Sequence, residues 1–219
     1  MFKSTEYLSI VKFIRDSSKN TKIIAVSKNH PQMFVKEALK QGVRIFGENK
    51  VLEAEEKFLD LKKEYPDIEL HLTGALQTNK VKKALSIFDV FHTLDREKLA
   101  KEFAKSLHKI IKKKLFIQIN TGKEISKGGI HPNESSEFIN YCKQELSLPI
   151  SGLMCIPPME EEPSHHFNML KDIAKKNNIV DLSMGMSADY KDAVINDATY
   201  IRVGTILFGK RKWKFFLDL

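Results

Sequence analysis

Short apolar runs alternate with amphipathic stretches along the whole chain. An opening stretch with helical spacing (about 4–18) leads into the run "KIIAVS", and a second helical stretch near 32–41 leads into "VRIFGE". The alternation continues. Helical stretches near 49–64, 78–86 and 95–110 precede "IELHLTG", "FDVFHTL" and "KLFIQINTG". Others near 134–145, 163–177 and 187–196 precede "LPISGLMCI", "IVDLSMG" and "TYIRVGTILFG". The apolar runs are short and continuous, as in strands covered on both faces. Strands separated by helices imply a parallel sheet. About eight such units in a chain of this length predict a closed (β/α)8 barrel, a TIM-like α/β fold formed by residues 1–219 as a single domain. An open doubly wound sheet is the competing architecture. The stretch "HPNESSE" (131–137) reads as a loop followed by a helix start capped by serine or asparagine.

Composition changes this picture little. The chain has 219 residues, 42% hydrophobic and 29% charged, an ordinary globular balance. No apolar run reaches the length of a membrane span. The N-terminal stretch is broken by charges and lacks the apolar centre of a signal peptide. Two cysteines, Cys142 and Cys155, are too few for a disulfide framework; they read as buried thiols of a reducing compartment, and the expected location is cytoplasmic. The formal net charge of +8 raises nucleic acid or an anionic ligand as partners. The lysines, however, are mostly helix-spaced and interspersed with glutamates. "KIIKKK" (109–114) reads as the last turn of a helix, where cations suit the dipole. The charge is therefore read as solubility, with no nucleic-acid and no membrane partner.

In a barrel of this kind, chemistry gathers at the C-terminal ends of the strands. The first run ends on a lysine, in "IIAVSKNHP". Lysine is strongly hydrated, so Lys28 is either a solvated strand end or an amine at the mouth of a pocket. Two other ends suit an anion. In "MGMSADY", Gly185 leads to Ser187, read as a helix cap, with Asp189 in the first turn; in "RVGTILFG", Gly204 and Thr205 follow the last strand. Backbone N–H groups at helix starts, with hydroxyls, bind phosphate, and the last two loops are the usual place for it. Each of these glycines and serines also has a plain turn-making or capping reading. Arg202 shares a strand face with Gly204. The residues thus describe a phosphate pocket with a lysine, without selecting a ligand.

The segments "IIAVSKNHP", "FGENKVLEAEEK", "HLTGALQTNK", "FHTLDREKLA", "GLMCIPP", "LSMGMSADY" and "IRVGTILFG", in that order, resemble the pyridoxal phosphate homeostasis protein family. That family is related to the N-terminal barrel of alanine racemase. The resemblance runs from about Lys22 to Lys210 and implies pyridoxal 5'-phosphate (PLP) as cofactor, held as an aldimine of Lys28. It implies Asn49 beside the cofactor ring, Met186 lining the pocket, Ser187, Gly204 and Thr205 on the phosphate, and Arg202 at the pyridine nitrogen. Lys50 departs from the aromatic common after "GEN", and Thr73 and Ala75 replace bulkier residues.

The resemblance further implies a non-catalytic protein of intracellular PLP homeostasis that delivers PLP to apo-enzymes; a monomer is expected. The alternative is a PLP-dependent enzyme such as an amino-acid racemase. Racemisation by two bases needs groups on both faces of the substrate carbon. The alanine racemase relatives draw the second base, a tyrosine, from a further domain. The chain ends soon after "LFGK", and none of its tyrosines is placed opposite Lys28. No metal site is expected. His71 and His92 lie within strands and read as interior residues, and His165 and His166 lack metal-ligand spacing. The tail "KRKWKFFLDL" is read as a cover for one end of the barrel.

Overall fold

The computed structural model describes residues 1–124 and 126–210. Among these residues eight parallel strands close into a barrel in sequence order, each followed by helix. The strands are β1 (Lys22–Val26), β2 (Ile45–Glu48), β3 (Glu69–Leu72), β4 (Val90–Leu94), β5 (Lys114–Gln118), β6 (Ile150–Met154), β7 (Asp181–Ser183) and β8 (Tyr200–Val203). The closing pair places Ile24 of β1 beside Arg202 of β8. The predicted barrel is the one found, and the open sheet is not. The tail reading lies outside the described residues.

The helices form because each carries one apolar stripe that the strands cover. In α1 (Ser4–Asp16) Ile10 and Ile14 are buried four residues apart. In α9 (Pro163–Lys176) Phe167, Leu170 and Ala174 recur three and four residues apart, and Pro163 occupies a first-turn position, where its missing N–H costs nothing. Burying each large side chain in this annulus contributes about 1.5–3 kcal/mol.

Several predicted helices are shorter or broken. The stretch read as 49–64 is two helices, α3 (Val51–Phe58) and α4 (Leu61–Glu64). That read as 95–110 divides into α6 (Glu97–Ala104) and α7 (Leu107–Ile110). Lys114 of "KIIKKK" is the first residue of β5 and not a helix end. Before α8 (Ser135–Asn140), the ring of His131 accepts the N–H of Asn133, so neither a serine nor an asparagine caps there.

A second core fills the barrel itself. Ile24, Val26, Val90, Phe116, Met154 and Tyr200 pack together inside it. Gly152 on β6 makes room, since a Cβ there would lie 2.1 Å from the Phe116 ring. Among these apolar groups lie four buried polar ones, His71, His92, Ser183 and Arg202. Below them, the first residues of the odd strands are Lys22, Glu69, Lys114 and Asp181, alternating in sign around the N-terminal end.

Candidate ligand site at the C-terminal end of the barrel

Strand β1 ends at Val26, and the chain turns through Ser27, Lys28 and Asn29. Ile24 and Val26 face the interior, and Lys28 continues their alternation. Lys28 is half-buried. Asn29 has φ 60°, a left-handed conformation that asparagine tolerates. Both neighbours of Lys28 are tied down. The Ser27 hydroxyl donates to Glu48 Oε1 at 2.6 Å, and the Ser27 carbonyl accepts Lys57 Nζ at 2.7 Å. The Asn29 N–H donates to Glu53. Lys57 Nζ joins the set, 2.8 Å from both Glu48 Oε1 and Glu53 Oε1.

This cluster is buried: the Glu48 side chain is 0% exposed and that of Lys57 8%. Burial pushes the Glu48 carboxyl up, and the Lys57 charge opposes it. Glu48 Oε2 is a buried oxygen with no hydrogen-bond partner among the described residues. Glu48 ends β2, while Glu53 and Lys57 lie one turn apart on α3, so the segment "ENKVLEAEEK" folds back to grip the β1 turn. Sequence reasoning missed these roles. Their signal is a glutamate next to an inward-facing glycine in a strand whose outer face is covered by helix.

Arg202 lies on β8, the neighbour of β1, and is 6% exposed. Its Nη1 donates to Ser183 Oγ at 2.8 Å and its Nη2 to the Cys155 carbonyl at 2.9 Å. Both partners are neutral. Burial lowers the guanidinium pKa, but arginine stays cationic in proteins. The same burial pushes the Cys155 thiol up to about 12, so no thiolate answers that charge. Ser183 Oγ in turn lies 2.8 Å from His92 Nδ1. His92 Nε2 lies 2.7 Å from His71 Nδ1, and His71 Nε2 lies 2.7 Å from Glu69 Oε1. The two histidines are interior residues, as their positions within strands suggested.

The turn after β7 passes through Gly185 at φ 89°, where a Cβ would lie 2.4 Å from that of Ala193. Only glycine allows this turn to press against α10 (Tyr190–Ile195). The Met186 N–H donates to Asp189 Oδ1 at 2.6 Å. Ser187 is therefore not the helix cap expected of it: α10 starts three residues later, and Asp189 holds the cap position with its carboxylate turned back to Met186. The hydroxyl of Ser187 is released from capping, and the residue is half-buried.

After β8 the strand stops at Val203, and "TILF" forms the short helix α11 (Thr205–Phe208). A Cβ on Gly204 would lie 3.1 Å from the Val26 carbonyl, so this turn rests against the end of β1. Thr205 is exposed at the helix start. Asn49 follows β2, and its Oδ1 accepts the Thr73 hydroxyl at 2.9 Å. Thr73, which stands where a bulkier residue is common, orients Asn49 through this bond.

Lys28, Asn49, Met186, Ser187, Arg202, Gly204 and Thr205 thus all lie at one end of the barrel. They come from β7, β8, β1 and β2, which are consecutive around the closed sheet. Among the described residues no group of His, Cys, Asp and Glu is placed to hold a metal ion. A buried cation with neutral partners, a half-buried amine and two small-residue turns fit an anionic ligand with an amine-reactive carbonyl.

Comparison with known proteins agrees with this geometry. Residues 10–212 match the family model described as alanine racemase, N-terminal domain. The pyridoxal phosphate homeostasis protein of Aquifex aeolicus is 37% identical over 202 residues, covering 88% of each chain. The human protein of the same name is 35% identical, over 88% of this chain and 77% of its own. PipY of Synechococcus elongatus, solved with PLP bound, is 33% identical with a TM-score of 0.81, covering 94% of this chain and 99% of its own. An alanine racemase of Acinetobacter baumannii, 17% identical with a TM-score of 0.74, shares the barrel over 95% of this chain and 62% of its own. By sequence and fold together, the chain belongs to the pyridoxal phosphate homeostasis protein family, on the barrel of the alanine racemase N-terminal domain.

Proposed function

We propose that this protein binds PLP at the C-terminal end of its barrel through Lys28 and serves PLP homeostasis without catalysing a reaction of its own. The observation that carries the reading is the contact of Gly204 with Val26. It makes the lysine-bearing end of β1 and the small-residue turn after β8 one continuous wall. PLP offers an aldehyde carbon, which the Lys28 amine attacks, forming a carbon–nitrogen double bond with loss of water. Ser187, Gly204 and Thr205 hold the phosphate, Met186 and Asn49 flank the ring, and Arg202 faces the pyridine nitrogen. A guanidinium there donates a hydrogen bond and does not hand over its proton. The ring nitrogen then stays unprotonated and draws electrons weakly, which suits storage better than carbanion chemistry.

The ion cluster behind Lys28 fixes the backbone from which the amine reaches. Two buried free thiols fit a reducing compartment, and the proposed location is the cytoplasm. No helix among the described residues is long and apolar enough to cross a membrane. The protein is proposed to act as a monomer that passes PLP to apo-enzymes. The name of the relatives supports homeostasis; the shared racemase barrel supports the alternative, turnover of amino acids. One experiment separates them. The PLP-loaded protein is mixed with apo-forms of PLP enzymes and, separately, with amino acids in deuterated water. Activation of apo-enzymes without rapid α-deuteration is expected. Deuteration with racemisation at about 1–10³ s⁻¹, the range of ordinary enzymes, would overturn the carrier reading.

A further inference from the structure

Arg202 is joined to the opposite end of the barrel by an unbroken line of side chains. The line runs from its Nη1 to Ser183 Oγ (2.8 Å), to His92 Nδ1 (2.8 Å), from His92 Nε2 to His71 Nδ1 (2.7 Å), and from His71 Nε2 to Glu69 Oε1 (2.7 Å). The two ends settle its direction. A guanidinium can only donate, and an ionised carboxylate can only accept. The hydrogen bond from His71 holds the Glu69 carboxyl below its usual range, helped by Lys22 and Lys114. Burial keeps both imidazoles neutral. It holds His92 well below its usual range, with the adjoining His71 ring and the Arg202 guanidinium also disfavouring a second proton there. It lowers His71 against the opposing pull of Glu69 and Asp89.

A neutral imidazole has one donor and one acceptor nitrogen. Glu69 accepts, so His71 carries its proton on Nε2 and accepts at Nδ1. His92 then carries its proton on Nε2 and accepts at Nδ1. The Ser183 hydroxyl donates to His92 and accepts from Arg202. No link is left with two donors or two acceptors, and every proton points from Arg202 towards Glu69. We propose that Glu69 is a positioning residue for Arg202, acting through this one-way chain of His71, His92 and Ser183, so that the guanidinium at the ligand end is held from the far end of the barrel.

Chains of this kind strengthen each bond by about 10–30% through mutual polarisation. The rings also stack, His71 on His92 at 5.0 Å and His92 on Phe116 at 4.6 Å. Packing alone would leave the tautomers unset. The consequence for a bound pyridine rests on the PLP reading above; the chain itself does not.

The test uses the protein without added PLP, so it stands whether or not PLP binds. In histidine labelled with nitrogen-15, long-range proton correlation spectra at pH 7 should show His71 and His92 both neutral and both protonated on Nε2. A proton on Nδ1 of either ring, or an imidazolium, would overturn the proposal. The second arm follows hydrogen exchange of the Arg202 guanidinium. Glu69→Leu should accelerate it roughly three- to tenfold, the size of one hydrogen bond lost. Asp181→Asn, at the same end but off the chain, should leave it unchanged. An unaltered rate in Glu69→Leu, or an equal acceleration in Asp181→Asn, would show that the two ends are not coupled.

Discussion

At the N-terminal end of the barrel, Lys22, Glu69, Lys114 and Asp181 stand at the first positions of β1, β3, β5 and β7. Lys114 Nζ is 3.6 Å from Asp181 and 3.4 Å from the Tyr200 hydroxyl, and both lysines lie over the Tyr200 ring. Positive and negative groups there answer one another. At the C-terminal end Arg202, among the described residues, hydrogen-bonds to a hydroxyl and a carbonyl, with the Asp189 carboxylate also acting on it, and the buried glutamate nearby, Glu48, is already matched to Lys57. One end neutralises itself. The other keeps positive charge in a partly dry setting, where an anionic group from outside lowers the energy of the whole. The same residue types pair with one another at one end, while at the end proposed to bind the ligand the guanidinium is hydrogen-bonded to neutral groups.

The sharpest break in this division is at Lys57. Lys57→Met leaves Glu48 buried and unpaired, and urea unfolding should show a loss of about 3–5 kcal/mol. PLP affinity should fall with it, because the turn carrying Lys28 loses its grip. Replacing both partners with apolar residues should recover most of the stability but not the affinity.

Acid should act next most strongly. His71 and His92 are both held below their usual range by burial, so the folded state resists their protons while the unfolded state takes them up. Their contribution is present above the ordinary histidine value and is lost as pH falls towards the folded values. Below about pH 6.5 each buried histidine should cost about 1.4 kcal/mol of stability per pH unit until it titrates in the fold. Unfolding free energies between pH 7 and 5 check this, and a flat profile would contradict neutral interior histidines.

Smaller effects separate the ends. Ser187→Ala should weaken PLP binding by about 0.5–1.5 kcal/mol, rising to about 3 if the lost bond is to a charged oxygen, with unfolding unchanged. Pyridoxal without its phosphate should bind much more weakly than PLP and should not distinguish the variant from the parent. Lys114→Met should cost less than about 1 kcal/mol in stability, as half-exposed ion pairs do, and leave PLP affinity as it was.

The barrel was legible because its signal is repetitive: apolar runs such as "KIIAV" and "KLFIQ" recur between amphipathic stretches, and both are strands as read. The strand ends were legible in part: alternation puts Arg202 and Gly204 on one face, but it left open whether Lys28 is solvated or faces a pocket. What failed was local. Ser187 looked like a cap because serine commonly caps, but Gly185 delays α10 until Asp189 can take that position. The grip of Glu48, Glu53 and Lys57 on Ser27 and Asn29 needed the packing of α3 behind β1, which no periodicity reveals. The pairing of His71 with His92 depended on the register between β3 and β4, where residues 21 apart meet. Periodicity assigns faces, and tertiary contact assigns partners.

The central claim is that the amine of Lys28 holds the cofactor. Protein loaded with PLP is reduced with borohydride, digested, and its peptides are read by mass spectrometry. The account predicts the pyridoxyl phosphate group on Lys28, and no labelled peptide from Lys28→Ala. Label on a different lysine, or undiminished labelling of the variant, would contradict it.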